Sequence, residues 1–155
     1  MDLNRILAEE EGDKSQAALE LNIRIAQKIE SPDINIVKVL SPTELCVLLI
    51  CRINVYVCNG GYEHYFYYSG VYIDETVQAI STVGLTRLYK NYLDAIKVFG
   101  NEQLPFDDEE RQALVEALSD HQKGILDKLS DDYYDIDHFG DLFDFAFKNQ
   151  SDIFV

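Results

Sequence analysis

Apolar residues recur along this chain at the three-to-four-residue spacing of an α-helix, in one segment after another. No two runs of strand-like alternation are joined by a hairpin turn. In "SQAALELNIRIAQKIE", Ala18, Leu21, Ile25 and Ile29 line one face, with Asn22, Arg24 and Lys28 elsewhere. Ser31-Pro32 ends that stripe, because a residue before proline avoids the helical region. "DINIVKV" fits either a loop or a short helix. In "SPTEL", Ser41 accepts the orphan amides of a helix start, Pro42 suits the first helical position and Glu44 completes a capping box. That helix runs from Leu45 to about Cys58 and is apolar nearly all round, which makes it central. "INVYVC" alternates like a strand, but the cap ahead of it favours helix, and Gly60-Gly61 ends it.

Further helices follow. "YEHYFYYSG" is a compact aromatic segment read as a short helix. "DETVQAISTVG" places Ile73, Val77 and Ile80 on one face and stops at Gly84. "TRLYKNYLDAIKVFG" opens on a Thr86 cap, carries Leu88, Tyr89, Tyr92, Ile96 and Phe99 as its stripe, and ends at Gly100. "DDEERQALVEAL" sets its acids in the first helical turn, where they offset the helix dipole. Leu114, Ala117, Leu118, His121, Ile125 and Leu129 keep helical spacing, so one helix is expected to continue past Ser119, with Gly124 as its weak point. The last helix covers roughly 138–149, with Phe139, Leu142, Phe143, Ala146 and Phe147 facing inward. The expected architecture is all-α: a single-domain orthogonal bundle of about six to eight helices over residues 1–155.

The chain has 155 residues, 47% of them hydrophobic, which suffices for a real core. Cys46, Cys51 and Cys58 are odd in number and lack CxxC spacing, so all three read as small buried hydrophobes in a reducing compartment. "MDLNRILAEEEGDKS" has no apolar signal core, and the run "LCVLLIC" is interrupted at once by Arg52 and Asn54. A cytoplasmic protein with no membrane partner is therefore expected.

Charge narrows the function. There are 28 acids against 13 bases, a net charge of −15. Residues 101–155 hold 15 of the acids and only four bases, Arg111, Lys123, Lys128 and Lys148. Such a surface repels nucleic acid and attracts basic proteins. A surface kept only for solubility usually mixes signs, and acids left unmixed repel one another. Asp137, Asp141 and Asp144 step by four and three residues, away from the aromatic stripe, and Asp127, Asp131 and Asp135 step by four. A four-residue step rises about 6 Å along a helix, against about 3.4 Å between successive phosphates of one DNA strand. The carboxylates expected to meet a partner are Asp107, Asp108, Glu109, Glu110, Glu116, Asp120, Asp127, Asp131, Asp132, Asp135, Asp137, Asp141 and Asp144.

"NGGYEHYFYYSG" resembles the Asn-Gly-Gly-aromatic signature of the bacterial DNA-mimic protein family, an acidic all-helical domain. "ETVQAISTVG", "FGNEQLPFDDEERQ", "LDKLSDDYYDID" and "NQSDIF" are similar to later pieces of that family, in the same order. The resemblance covers roughly 41–155, leaving 1–40 as a helical extension packed on it. It departs at His64, where Gln is common, and near Tyr68, where Asn is common. A characterised member resembles duplex DNA in shape and charge, forms a dimer and keeps a transcription regulator off its operator. The resemblance therefore implies a homodimer and a basic DNA-binding protein as partner. Asn59, Gly60, Gly61, Tyr62, Tyr65, Phe66, Ser69 and Gly70 carry the signature and read as structural residues.

Catalytic motifs do not stand out. No nucleophile elbow, phosphate loop, dinucleotide fingerprint or zinc-protease motif is present. Asp135, Asp137 and His138 form a D-x-D-H stretch without a second histidine at ligand spacing. His121 sits on an apolar stripe and reads as a packed histidine. Ten tyrosines suggest a platform for single strands, but the net charge of −15 opposes it. The expectation is a non-enzymatic DNA mimic with no cofactor and no metal. The alternatives are an acidic or immunity-type interaction module without DNA likeness and, behind it, a metal-dependent enzyme using Asp135, Asp137 and His138.

Overall fold

The computed structural model describes residues 2–29, 31, 35–100 and 103–153. Among them are nine α-helices, one 3-10 turn and no strand, so the all-α expectation holds. Pro32, at the expected end of the first stripe, lies outside the described residues, as does Phe154 of the terminal motif. The chain divides into two compact units, residues 1–51 with 137–155, and residues 52–136.

The first unit begins with α1 (Leu3–Glu9), which the sequence reading missed. Asp2 caps it and Leu3 and Ile6 are fully buried. α2 (Lys14–Ala26) starts at Asp13, whose carboxylate accepts the Ser15 and Gln16 amides at 2.8 and 3.1 Å. It buries Ala17, Ala18, Leu21 and Ile25 and ends short of Ile29, which is half-buried. The ambiguous "DINIVKV" contains a one-turn helix, α3 (Ile36–Val39), capped by Asn35. Ser41 and Glu44 form the expected box: Glu44 N donates to Ser41 Oγ at 3.2 Å and Ser41 N to Glu44 Oε2 at 3.1 Å. They open the long helix α4 (Pro42–Ser69), whose first ten residues belong to this unit. α9 (Phe139–Lys148) packs on α2 through Leu142, Phe143 and Ala146. Phe139 and Phe147, expected in the core, are only half-buried. Buried Glu44 is held by Lys28, and Thr43 donates through Oγ1 to Asp152 at 3.0 Å.

The second unit starts inside α4. Gly60-Gly61 ends the first stretch of that helix, as expected: both glycines leave helical backbone, and the expected aromatic helix starts at Tyr62. Gly61 sits at φ +73°, where an L side chain is strained. Its α-carbon faces Ser130, whose Oγ would lie 2.8 Å from an added Cβ. α5 (Ile73–Val83) buries Thr76, Ala79 and Ile80, while Ile73 and Val77 stay at the margin. α6 (Thr86–Lys97) has Leu85, not Thr86, at its cap position, with no side-chain cap bond. Its buried face is Leu88, Asn91, Tyr92 and Ala95, with Tyr89 and Ile96 at the edge.

The helix expected to run through Ser119 is two helices, α7 (Asp108–Glu116) and α8 (Asp120–Tyr134). Ser119 begins a second capping box, with Gln122 N donating to Ser119 Oγ at 3.2 Å and Ser119 N to Gln122 Oε1 at 2.9 Å. That break rotates the buried face to Leu126, Ser130 and Tyr133 and leaves His121, Ile125 and Ala117 exposed. Tyr62, Tyr65, Phe66, Tyr92 and Phe99 are buried in one aromatic cluster with neighbouring centroids 4.9 to 6.4 Å apart.

Pro42–Ser69 is long and apolar enough to cross a membrane by composition, despite Arg52 and Asn54. Half of its most apolar window is buried within the fold, as in a core helix.

Candidate functional site

All thirteen carboxylates expected to meet a partner are exposed. They fall into groups with different physical reasons for being there. Asp107 caps α7, accepting the Glu110 amide at 3.0 Å, and Asp108, Glu109 and Glu110 fill its first turn. Negative charge stabilises that end of a helix, so local structure alone accounts for those four.

α8 is different. Asp120, Asp127 and Asp131 share one stripe, set away from the buried Leu126, Ser130 and Tyr133. Asp131 and Asp132 lie in the last turn and Asp135 occupies the cap position, with no basic residue in that turn. Acids there face the negative end of the dipole, which costs about 0.3–1 kcal/mol each at an exposed site. Helix stability does not explain them. Among the described residues no cation lies within ion-pair distance of Asp127, Asp131, Asp132 or Asp135.

One side of α8 is diluted. α6 packs on α8 and brings Arg87, Lys90 and Asp94 into a groove with Asp132 and Asp135. Sequence order hid this mixing, because the bases lie more than forty residues upstream. Asp127 and Asp131 lie outside that groove. On their own helix Lys123 stands four residues before Asp127 and Lys128 three before Asp131, neither within ion-pair distance among the described residues.

In the other unit, Asp141 and Asp144 lie on the exposed face of α9, and Asp137 precedes the helix. Asp144 is already engaged by Lys14 at 2.7 Å.

The signature residues have structural tasks. Tyr62 N donates to Ser130 Oγ at 2.8 Å, and Ser130 Oγ donates to the Leu126 carbonyl at 2.7 Å. Tyr62 Oη donates to Asn91 Oδ1 at 2.6 Å, and the Tyr65 and Tyr92 hydroxyls pair at 2.9 Å. Burial pushes all three phenols up. A Cβ on Gly70 would meet the Phe66 carbonyl at 2.7 Å, and Ser69 is buried beside it. Asn59 is exposed and donates to the Val55 carbonyl at 2.6 Å.

Arg111 was missed as anything but a surface charge. Its side chain is buried, and its guanidinium donates to the carbonyls of Phe66, Phe106 and Tyr67 at 3.1, 3.0 and 3.4 Å and to Asp108.

Among the described residues no three His, Cys, Asp or Glu side chains converge to hold a metal ion. His138 is buried against the Phe139 ring, whereas Asp135 and Asp137 are exposed. Cys46 and Cys51 are buried, and desolvation pushes their thiols up to about 11 and about 12. Cys58, expected to be buried, is exposed and donates to Asn54 Oδ1 at 3.3 Å.

The family model described as DMP19-like protein matches residues 38–149. No curated protein and no solved structure matches the chain significantly.

Proposed function

The chain belongs to the DMP19-like protein family, a DNA-mimic family, and from that premise we propose a non-enzymatic, acidic protein-binding module. It stands in for duplex DNA and sequesters a basic DNA-binding protein such as a transcription regulator. The observation that carries this reading is the exposed aspartate stripe of α8, with no cation at ion-pair distance from Asp127 or Asp131 among the described residues and Asp131 set against the negative end of its helix. A rigid helix over a ring-packed core holds these charges at fixed spacing. A basic cleft shaped for phosphates gains the same kind of charge-assisted contacts from carboxylates.

The test immobilises the protein, captures basic proteins from the source cell, and challenges them with salt and with duplex DNA. The reading expects release by both, and loss of capture when Asp127, Asp131, Asp132 and Asp135 are changed together to Asn. Proteins that stay bound under saturating duplex DNA would overturn DNA likeness. That outcome would favour the interaction module without mimicry, for which exposed Tyr68, Phe106 and Tyr134 supply aromatic anchors.

A further inference from the structure

A second feature of the 52–136 unit faces solvent and is aromatic as well as acidic. Gly60, Glu63, His64, Tyr67, Tyr68 and Glu116 line an open pocket. Tyr68 is 55% exposed, so its ring is open to a ligand from solvent. Its centroid lies 4.6 Å from the His64 ring and 4.7 Å from the Tyr67 ring. Tyr67 Oη donates to Glu116 Oε1 at 3.2 Å, and that bond to a carboxylate holds the Tyr67 phenol above its ordinary value. Glu63 carries a half-exposed pair with Lys123 at 3.1 Å.

The wall of the pocket depends on a signature glycine. A Cβ on Gly60 would stand 2.8 Å from His64 Cβ, so a side chain there would push the His64 ring out of its place beside Tyr68.

The lining selects its ligand by charge. Ring faces carry negative quadrupoles, and the Glu116 carboxylate stands beside them while Glu63 is already paired with Lys123, so an anion is repelled and a cation gains from the rings and from Glu116. A guanidinium fits better than an ammonium. It stacks flat on a ring, forks to a carboxylate, and sheds its hydration more easily. We propose that this pocket receives an arginine side chain of the basic partner, stacked on Tyr68 and hydrogen-bonded to Glu116. The site rests on the protein-binding reading above but not on DNA likeness, since a phosphate backbone offers no such ring.

The experiment is an NMR titration of the whole protein with N-acetyl-arginine amide, its lysine counterpart and the neutral citrulline amide. Arginine amide shifts the His64, Tyr67 and Tyr68 ring signals saturably, lysine amide does so more weakly, and citrulline amide leaves them in place. Tyr68→Leu weakens arginine amide binding roughly two- to fivefold, and Tyr68→Phe retains it. Glu116→Gln weakens it as well. Equal shifts from citrulline, equal binding by the Leu variant, or shifts confined to the aspartates of α8 overturn the proposal. No partner is needed, so the result is separable from the duplex competition. Arginine binding with failed DNA displacement keeps the pocket and removes mimicry, and the reverse result removes only the pocket.

Discussion

Arg111 Nε donates to the carbonyl oxygen of Phe66 at 3.1 Å from a side chain that is 1% exposed. The second half of α4 thus ends on a buried cation carried by α7, which also holds the Phe106 carbonyl at 3.0 Å. Removing the guanidinium takes its donor from the buried Phe66 carbonyl and from the part-buried carbonyls of Phe106 and Tyr67. Arg111→Ala is expected to lower stability by about 3 kcal/mol, read as a lower urea midpoint. Arg111→Lys should recover less than half, because one ammonium cannot reach carbonyls on two sides as a planar fork does. An unchanged midpoint in the Ala variant would show that the buried network contributes nothing.

Ser130 makes the contact that allows α4 to break and resume. Its Oγ receives the Tyr62 amide at 2.8 Å beside Gly61 at φ +73°. Ser130→Ala leaves that buried amide unpaired and should cost about 1–3 kcal/mol. Gly61→Ala should cost more than about 1 kcal/mol, through its left-handed backbone and the collision with Ser130. Amide exchange at Tyr62 is the direct readout for Ser130→Ala. If it does not quicken relative to global unfolding, the hydrogen bond is not what protects it.

These two contacts mark where the sequence was legible and where it was not. Ser41 and Glu44 announced a helix start that is present, because a capping box is local chemistry. Ser119 and Gln122 spell the same box, but the helical spacing that runs unbroken from Leu114 to Leu129 masks it. Reading the cap first would have turned the buried face of α8 to Leu126, Ser130 and Tyr133. Arg111 was opaque for another reason: a charged residue among acids reads as surface, and only tertiary structure supplies the carbonyls that bury it. The exposure of the acids was legible from composition and spacing. Their dilution by Arg87 and Lys90 was not, because it depends on α6 packing against α8.

Burial sets an alkaline limit on the fold. Desolvation lifts Cys51 from an ordinary 9.0 to about 12 and Cys46 to about 11, so folding favours the neutral thiol. A group raised in the folded state contributes stability that is complete below its unfolded value and lost as pH rises through the folded one. Tyr62 and Tyr92 act in the same direction from pH 10.0 upward. The urea midpoint should therefore hold between neutrality and about pH 8.5, then fall from about pH 9 to 12. A disulfide reagent at neutral pH should titrate Cys58 alone in the native protein and all three thiols in denaturant. A midpoint flat to pH 11, or rapid native reaction of Cys51, would contradict the burial.

The aspartates of α8 should give stability and binding opposite responses to salt. Asp127 and Asp131 stand one helical turn apart with like charge, which costs about 0.2–0.5 kcal/mol, and Asp131 adds an unfavourable term with the helix end. Added salt screens both over a Debye length of about 10 Å at 0.1 M. The melting temperature should therefore rise with salt, while affinity for a basic partner falls. Changing Asp127 and Asp131 to Asn should mimic the salt: the folded state gains about 0.5 kcal/mol and the partner is released at lower ionic strength. A stripe kept only for solubility would show the gain in stability without the loss of binding. Parallel melting and binding curves across one salt series separate the two, because only a surface that works against its own helix moves them in opposite directions.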